Sequence, residues 1–450
     1  MHFKYWKFVL FSATFLSQAS GATLDDCLKW GQERNPTLSR LRLEKALDEP
    51  GSRAAWGQFL PLINVGYGFD QSSYYNQTYL NPDGTVTRLP VTLVNGKVIP
   101  VQSGRRRDSQ WFLRVEEILF DGGRNYYNLR NSALVNANRS QQISAQSLIL
   151  RADITRAYAS LVSSVQMLNL AGEVIIQRQR QLELAEVRFN TGSVTKRDVM
   201  QAEVDWGRAR TDSMNAALEL RRAQNALNLA IGLPIDTTFT IAPLPPLFQP
   251  GWAADSLAEA AVTQRAEIGA ATLNSNLKYN NWKAAKGDWL PQLSADLTHS
   301  RSEQSGANVP FTLNPRNRYT SLGMTLSWTL FDRFTRSLRT QEAKIAQDQT
   351  NIQRSELERE VRMETLTAAD RLEVLYQQAV VAAQNSRWAK ETLDFEQERY
   401  RLGSASVIEL GAAQLSYIQA RSEQIRLESE FAAALGDLER AVGNPLRSGS

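Results

Sequence analysis

The pattern of apolar and polar positions changes period twice along this chain, and the whole succession then occurs again. Residues 24–56 read as a helix of moderate length. The stretch "FLPLINVGYGFD" then alternates: Ile63, Val65, Tyr67 and Phe69 face one way, and Asn64, Gly66, Gly68 and Asp70 the other. That is the period of a strand with one apolar and one polar face. "QWFLRVEE" does the same, setting Trp111, Leu113 and Val115 against Gln110, Arg114 and Glu116. A segment without proline, from about residue 123 to 190, then predicts a helix. At 1.5 Å per residue it is roughly 100 Å long, more than a single globular domain can use. A returning helix of about 40 residues follows.

The second copy has the same order: a helix over 254–286, two strands, a long helix from about 333 to 402, and a returning helix. "QLSADLTHS" keeps the alternation through Leu293, Ala295 and Leu297. "TSLGMTLSWTLF" sets Leu322, Met324, Leu326 and Trp328 against Ser321, Gly323, Thr325, Ser327 and Thr329. An offset of 211 pairs Phe120 with Phe331, Asp121 with Asp332, Arg188 with Arg399, and Gly232 with Gly443. Nearer the start of each copy the offset is 230, as in "GQFLP" and "GDWLP". The 19-residue difference is an insertion in the first copy. Its stretch "YYNQTYLNPDGTVTRLP" reads as a long loop. The organisation is therefore a leader at 1–21, a first repeat at 22–234, a proline-rich connector at 235–253 and a second repeat at 254–450.

Alanine recurs every seventh residue in the first returning helix, at Ala202, Ala209, Ala216, Ala223 and Ala230. The second helix has Ala413, Ala420, Leu427, Ala434 and Ala441. Such a heptad seam predicts helices packed side by side at close range. Between each long helix and its return lies a shared turn, "RFNTGS" and "RYRLGS". Gly192 and Gly403 suit the position just past a helix end, where the backbone turns left-handed. Thr195 and Ser406 read as N-caps, and Asp198 and Glu409, three residues on, complete capping boxes. Were the tips to face a lumen, a symmetric oligomer would also gather these acids into rings that select cations. The two roles are compatible.

Four strands of about ten to twelve residues suit a bilayer, where a tilted strand of 9–11 residues spans the hydrocarbon core. Strands in lipid must close into a barrel, because every backbone group needs a partner. Four are too few, but three chains supply twelve. Tyr67, Phe69, Trp111, Tyr319 and Trp328 are candidates for aromatic girdles at the interfaces. "GRRRD" at 104–108 is a basic cluster beside the second strand; such a run is usually simply solvated, and at a barrel rim it would instead pair with lipid phosphates.

Composition narrows the chemistry. Lys4 and Lys7, an apolar run from Phe8 to Leu16 and small residues after it form a secretory signal, with cleavage expected after Gly21 or Ala22. The mature chain then holds one cysteine, Cys27, and one histidine, His299. This excludes an internal disulfide, most metal sites and histidine-based triads. "LDDC" lacks a lipoprotein cleavage site, so Cys27 reads as a packing residue. No run of 18 or more apolar residues predicts a spanning helix. A net charge of +4 gives no argument for nucleic acid. "SVTK" at 193–196 matches a penicillin-recognising pattern, but its duplicate "SASV" lacks the lysine.

Taken in order, these features resemble the TolC family of outer-membrane efflux proteins across the whole mature chain. The resemblance is carried by the duplication, Asn35-Pro36, "LP" before each first strand, "LFDGG" and "LFDRF" after each second strand, and the two turns. It implies a mainly α fold with a β-barrel part. Long coiled helices would form a periplasmic α-barrel tunnel, and four transmembrane strands per chain a 12-stranded barrel in a homotrimer. It implies residence in the outer membrane of a Gram-negative cell, extending into the periplasm. Thr191, Gly192, Ser193 and Val194, with Leu402, Gly403, Ser404 and Ala405, would be the tips that dock on a periplasmic adaptor joined to an inner-membrane pump. Asp198 and Glu409 match acids of the closed entrance. Arg399 and Tyr400 match positions where contacts between neighbouring helices hold it shut. A further acid expected three residues after Glu409 is Ala412 here, which thins the ring. The implied activity is passive export, as the exit duct of a tripartite pump or of a type I protein secretion system, without cofactor or catalysis. A periplasmic coiled-coil scaffold is the competing reading, and the four amphipathic strands argue against it.

Overall fold

The computed structural model describes residues 21–75, 78–80, 83–88, 92–94, 97–99, 103–305 and 317–446. The signal segment expected at 1–21 lies outside them except for Gly21, and so do the arginine side chains of "GRRRD". The single helix expected over 24–56 is instead three: α1 (Leu24–Arg34), α2 (Pro36–Lys45) and α3 (Asp48–Gly57). Asn35 makes the first break. Its backbone is extended, at φ −60° and ψ 126°. Its side-chain oxygen accepts from the amides of Thr37 and Leu38 at 2.9 and 3.2 Å, capping the next helix. Pro36 takes the first helical position, where a missing N–H costs nothing.

The chain continues through β1 (Leu62–Tyr75), β2 (Thr78–Leu80), β3 (Val86–Arg88), β4 (Thr92–Val94), β5 (Lys97–Ile99) and β6 (Ser103–Phe120). The insertion expected as a loop therefore carries two short antiparallel ladders, β2 with β3 and β4 with β5. The helices α4 (Arg124–Asn190) and α5 (Lys196–Ile231) complete the first copy. The second comprises α6 (Ala254–Gln264), α7 (Ala266–Gly287), β7 (Gln292–Ser305), β8 (Asn317–Ser327), α8 (Thr335–Arg401) and α9 (Val407–Val442). Here too the expected helix over 254–286 is broken. Arg265, the counterpart of Asn35, is extended at φ −68° and ψ 128° with no proline to announce it. Its guanidinium is buried and bonds to Glu267 and Glu364, and Arg440 shares Glu364.

The chain divides into two compact units. The first takes residues up to Lys45, Asn138–Thr272 and everything from Ile352. Its core is two clusters in duplicate. Leu161, Ala223, Leu227 and Ile231 are buried in one, and their counterparts Leu372, Ala434, Leu438 and Val442 in the other. Every position of both heptad seams is buried or half-buried. Alanine lets backbones approach there, while leucines such as Leu227, fully buried, contribute roughly 1.5–3 kcal/mol each. Cys27 is also fully buried, and desolvation pushes its thiol up to about 12. One stretch of α4 is long and apolar enough, by composition, to cross a membrane. Within α4, Ile154, Tyr158, Leu161 and Val162 belong to the first core cluster.

The second unit, Ala46–Ala137 and Leu273–Asn351, holds an antiparallel sheet in the order β1-β6-β7-β8. Residues directly opposite in a ladder share a face. The register aligns Ile63, Val115, Leu297 and Leu322 across all four strands, so the apolar sides of both copies coincide. Val65 is 75% exposed and Leu322 79%, a greasy face turned outward. Tyr67 and Trp111 stand opposite each other on it. Tyr319 does not join them. It pairs with Ser300, which pairs with Phe112, on the polar side, so it leaves the expected girdle. Both ends of the sheet, β1 and β8, are edges.

Asp121 and its duplicate Asp332 start the long helices, accepting from the amides of Asn125 at 2.9 Å and Arg336 at 2.7 Å. Gly122 and Gly123 take left-handed backbone between strand and helix in the first copy. Arg333 and Phe334 adopt the same conformation in the second, at φ 59° and 66°, despite their side chains. Each such residue is strained relative to glycine by about 1 kcal/mol.

Candidate functional site

The two helix tips lie in the first unit, and the repeated sequence builds them twice. Ser193 N–H bonds to Arg188 O at 2.8 Å and Gly192 N–H to Phe189 O at 2.9 Å. Ser404 N–H bonds to Arg399 O at 2.9 Å and Gly403 N–H to Tyr400 O at 3.1 Å. This pair of bonds, six-to-one and five-to-two, is the Schellman closure of a helix. Gly192 and Gly403 sit at φ +76° and +78° with open space where a Cβ would go. The conformation alone therefore calls for glycine. "R-aromatic-x-x-G-S" is thus first a folding instruction: the arginine and the aromatic residue supply the closing carbonyls.

Both capping boxes form. Thr195 N–H donates to Asp198 Oδ2 at 2.8 Å, and Ser406 N–H to Glu409 Oε2 at 2.6 Å. In return Asp198 N–H reaches Thr195 Oγ1 at 3.4 Å and Glu409 N–H reaches Ser406 Oγ at 3.2 Å. The backbone bond from Thr195, helped by its hydroxyl, holds the Asp198 carboxyl below the usual carboxylate range. The Ser406 bonds do the same for Glu409, with Arg399 adding a smaller attraction. Both acids are fully exposed and charged. Among the described residues, neither makes a hydrogen bond beyond its own cap.

The duplicated arginines do different things. Arg399 stays on its own hairpin, pairing with Glu396 at 2.9 Å and donating to Ser404 O at 3.0 Å. Arg188 crosses to the other hairpin. Its guanidinium lies over the Tyr400 ring, 4.6 Å from the centroid, and reaches Tyr400 O at 3.4 Å. Tyr400 in turn packs against Leu393, Leu410 and Ala413, a small core between α8 and α9. Of the residues singled out in the sequence, Arg399 and Tyr400 thus sit in contact networks, and Asp198 and Glu409 sit apart on separate caps. Thr191 Oγ1 donates to Arg188 O at 2.9 Å, which trims its own turn. Leu402 is left 68% exposed at the other tip. The sequence did not single out Arg188. Its one signal was the aromatic partner at the duplicated position, Phe189 in one copy and Tyr400 in the other.

Paired coiled hairpins joined to strands with one lipid-compatible face define a class, that of outer-membrane channel proteins. The sequence pattern of the outer membrane efflux protein family matches residues 31–233 and 257–444. This chain belongs to that family, a family of channels and not of enzymes, and its place is the outer membrane. No curated protein matches it. The fold is shared with solved channels of low identity. The CmeC outer membrane channel of Campylobacter jejuni is 16% identical over 93% of this chain and 85% of its own, with a TM-score of 0.76. VceC of Vibrio cholerae is 15% identical over 94% and 96%, with a TM-score of 0.72. The open state of the Neisseria gonorrhoeae MtrE channel is 18% identical over 94% and 89%, with a TM-score of 0.70.

Proposed function

We propose that three copies of this chain form the passive exit duct of a tripartite efflux pump. The observation that carries this is the four-stranded sheet with one apolar face and two unpaired edges. Its strands alternate in direction, so β8 of one copy meets β1 of the next antiparallel. Three copies then give a closed barrel of twelve strands with no edge left in lipid. The helical hairpins continue as a tunnel into the periplasm. Their tips, at Gly192 and Gly403, dock on an adaptor that links the duct to an energised inner-membrane pump. Asp198 and Glu409, held ionised by their caps, form acidic rings at the entrance. Tyr400, under Arg188, belongs to the contacts that keep it narrow, and Arg399 braces its own tip beside it.

Heat-modifiable trimers in outer-membrane fractions are the expected result, and a soluble monomer would end the proposal. Cysteines at Ser193 and Ser404 should crosslink to the adaptor. Continued export with neither position capturing one would show that docking lies elsewhere. Neutralising Asp198 and Glu409 together should weaken cation selectivity in single-channel recordings. Unchanged selectivity would leave these acids their capping role only.

A further inference from the structure

One basic cluster breaks the duplication. On α7, Tyr279, Trp282, Lys283 and Lys286 stand at i, i+3, i+4 and i+7, a single stripe of the helix. Three ammonium groups surround the Trp282 ring: Lys286 Nζ at 3.9 Å from the centroid, Lys344 Nζ of α8 at 5.1 Å and Lys283 Nζ at 5.2 Å. Each is attracted by the indole face, but the three repel one another. Lys344 is paired with Asp348 at 2.8 Å. Among the described residues no carboxylate pairs with Lys283 or Lys286. Asp288, the acid nearest them in sequence, faces Arg124 at 3.8 Å. In the first copy, the counterparts of Trp282, Lys286 and Lys344 are Ser52, Trp56 and Ala133. The cluster is therefore a property of the second copy alone.

The stripe runs to the root of the sheet. α7 ends at Gly287, and the half-exposed Trp289 and Leu290 precede β7. Arg336 lies over Trp289 at 4.9 Å, and Trp328 Nε1 donates to Trp289 O at 3.1 Å. Two indoles so placed mark the interface of a membrane strand. At 1.5 Å per residue, Lys286 and Lys283 lie about 6 and 10 Å from Leu290 along the chain. The headgroup zone outside the hydrocarbon is about 5–7 Å deep, and flexible lysine stems extend their charges toward it. Tyr279, over which Lys283 also lies at 5.3 Å, lines a cleft of about 410 Å³ with Arg130, Asn276 and Asn280. That volume is on the scale of a small-molecule pocket and brings a further cation beside the stripe.

We propose that Lys283, Lys286 and Lys344, gathered about Trp282, bind the phosphate of an anionic phospholipid in the leaflet on the helical side, one site per chain. The inference rests on the sheet being the membrane segment, and it adds a lipid ligand to a duct that otherwise only conducts. The test uses the full-length protein, with phosphatidylglycerol and phosphatidylcholine as probes and native mass spectrometry counting retained lipid. The wild type should prefer phosphatidylglycerol by roughly thirtyfold, the effect of two unpartnered lysines near an anionic surface. Lys283→Gln with Lys286→Gln should abolish the preference without changing helicity or oligomer. Arg53→Gln, at the first-copy counterpart of Lys283, should leave it intact. A double variant that retains phosphatidylglycerol like the wild type overturns the site. So does displacement of the lipid by inorganic phosphate alone. Wild-type protein that failed to enter phosphatidylcholine vesicles would instead refute the membrane reading of the sheet.

Discussion

Replacing Arg188 by alanine should loosen one hairpin tip from the other and leave each hairpin folded. Two contacts are lost: the cation–π contact over Tyr400 at 4.6 Å and the bond to Tyr400 O at 3.4 Å. An exposed cation–π pair contributes about 0.5–1 kcal/mol, and a bond that long adds little. The sum is about 1 kcal/mol, or roughly a fivefold shift in favour of parted tips within each chain. Arg399→Ala is the internal control, since its partners Glu396 and Ser404 lie on its own hairpin. Tyr400→Phe keeps both ring and carbonyl and should be silent. Spin labels on cysteines at Ser193 and Ser404 report the distance by pulsed electron resonance. The native Cys27 is buried, so labelling is selective. Arg188→Ala should broaden the distance distribution, and Arg399→Ala should not. Equal broadening by both, or none by the first, would refute the idea that Arg188 ties the hairpins.

Gly192→Ala should cost about 1–2 kcal/mol, because only the left-handed backbone resists it. Gly232→Ala should cost clearly more in thermal unfolding, since its Cβ would also meet Arg34 O at 2.7 Å; equal costs would contradict this. Both capping acids are held below their usual values of 3.8 and 4.5, so the caps' contribution is complete above those values and is lost as pH falls through the lowered ones. Amide signals of Asp198 and Glu409 should therefore be unchanged from pH 7 to about pH 5, and loss of the caps inside that window would be the wrong sign. Cys27 needs a thiolate to react. Maleimide should modify it only after unfolding, and labelling of the native protein would show that the first core is open.

Much of this fold is legible in the sequence because its strongest signals are local or repeated. The strand faces follow from alternation, the caps from Thr195-x-x-Asp198 and Ser406-x-x-Glu409, and the seam from alanine every seventh residue. Asn35-Pro36 could have announced the first helix break. Arg265 could not, since its extended backbone is stabilised by Glu364, some hundred residues away. The chemistry of Tyr319 suits a girdle. Its position in the strand says otherwise: it shares the parity of Ser321 and Gly323, so the alternation itself sets it on the polar face. The contact of Arg188 is of another kind, because nothing local encodes it. Its partner lies 212 residues further along, and beyond the exchange of Phe189 for Tyr400 the two similar motifs do not say which arginine stays home and which crosses.

The two free edges of the sheet also bear on how the channel is made. A lone chain is an unfinished object, with an apolar face and two rows of unpaired backbone groups available to any passing strand. It must be shielded in transit until copies meet. On the proposed pairing the joints run head to tail, so one damaged edge spoils the whole ring. A copy carrying proline in β1 could still offer β8 to a neighbour but could not be closed upon. Expressed in equal amount with the normal chain, it would leave roughly one ring in eight intact, if copies mix at random in threes. Such a variant would be dominant, although it makes a single chain's worth of error.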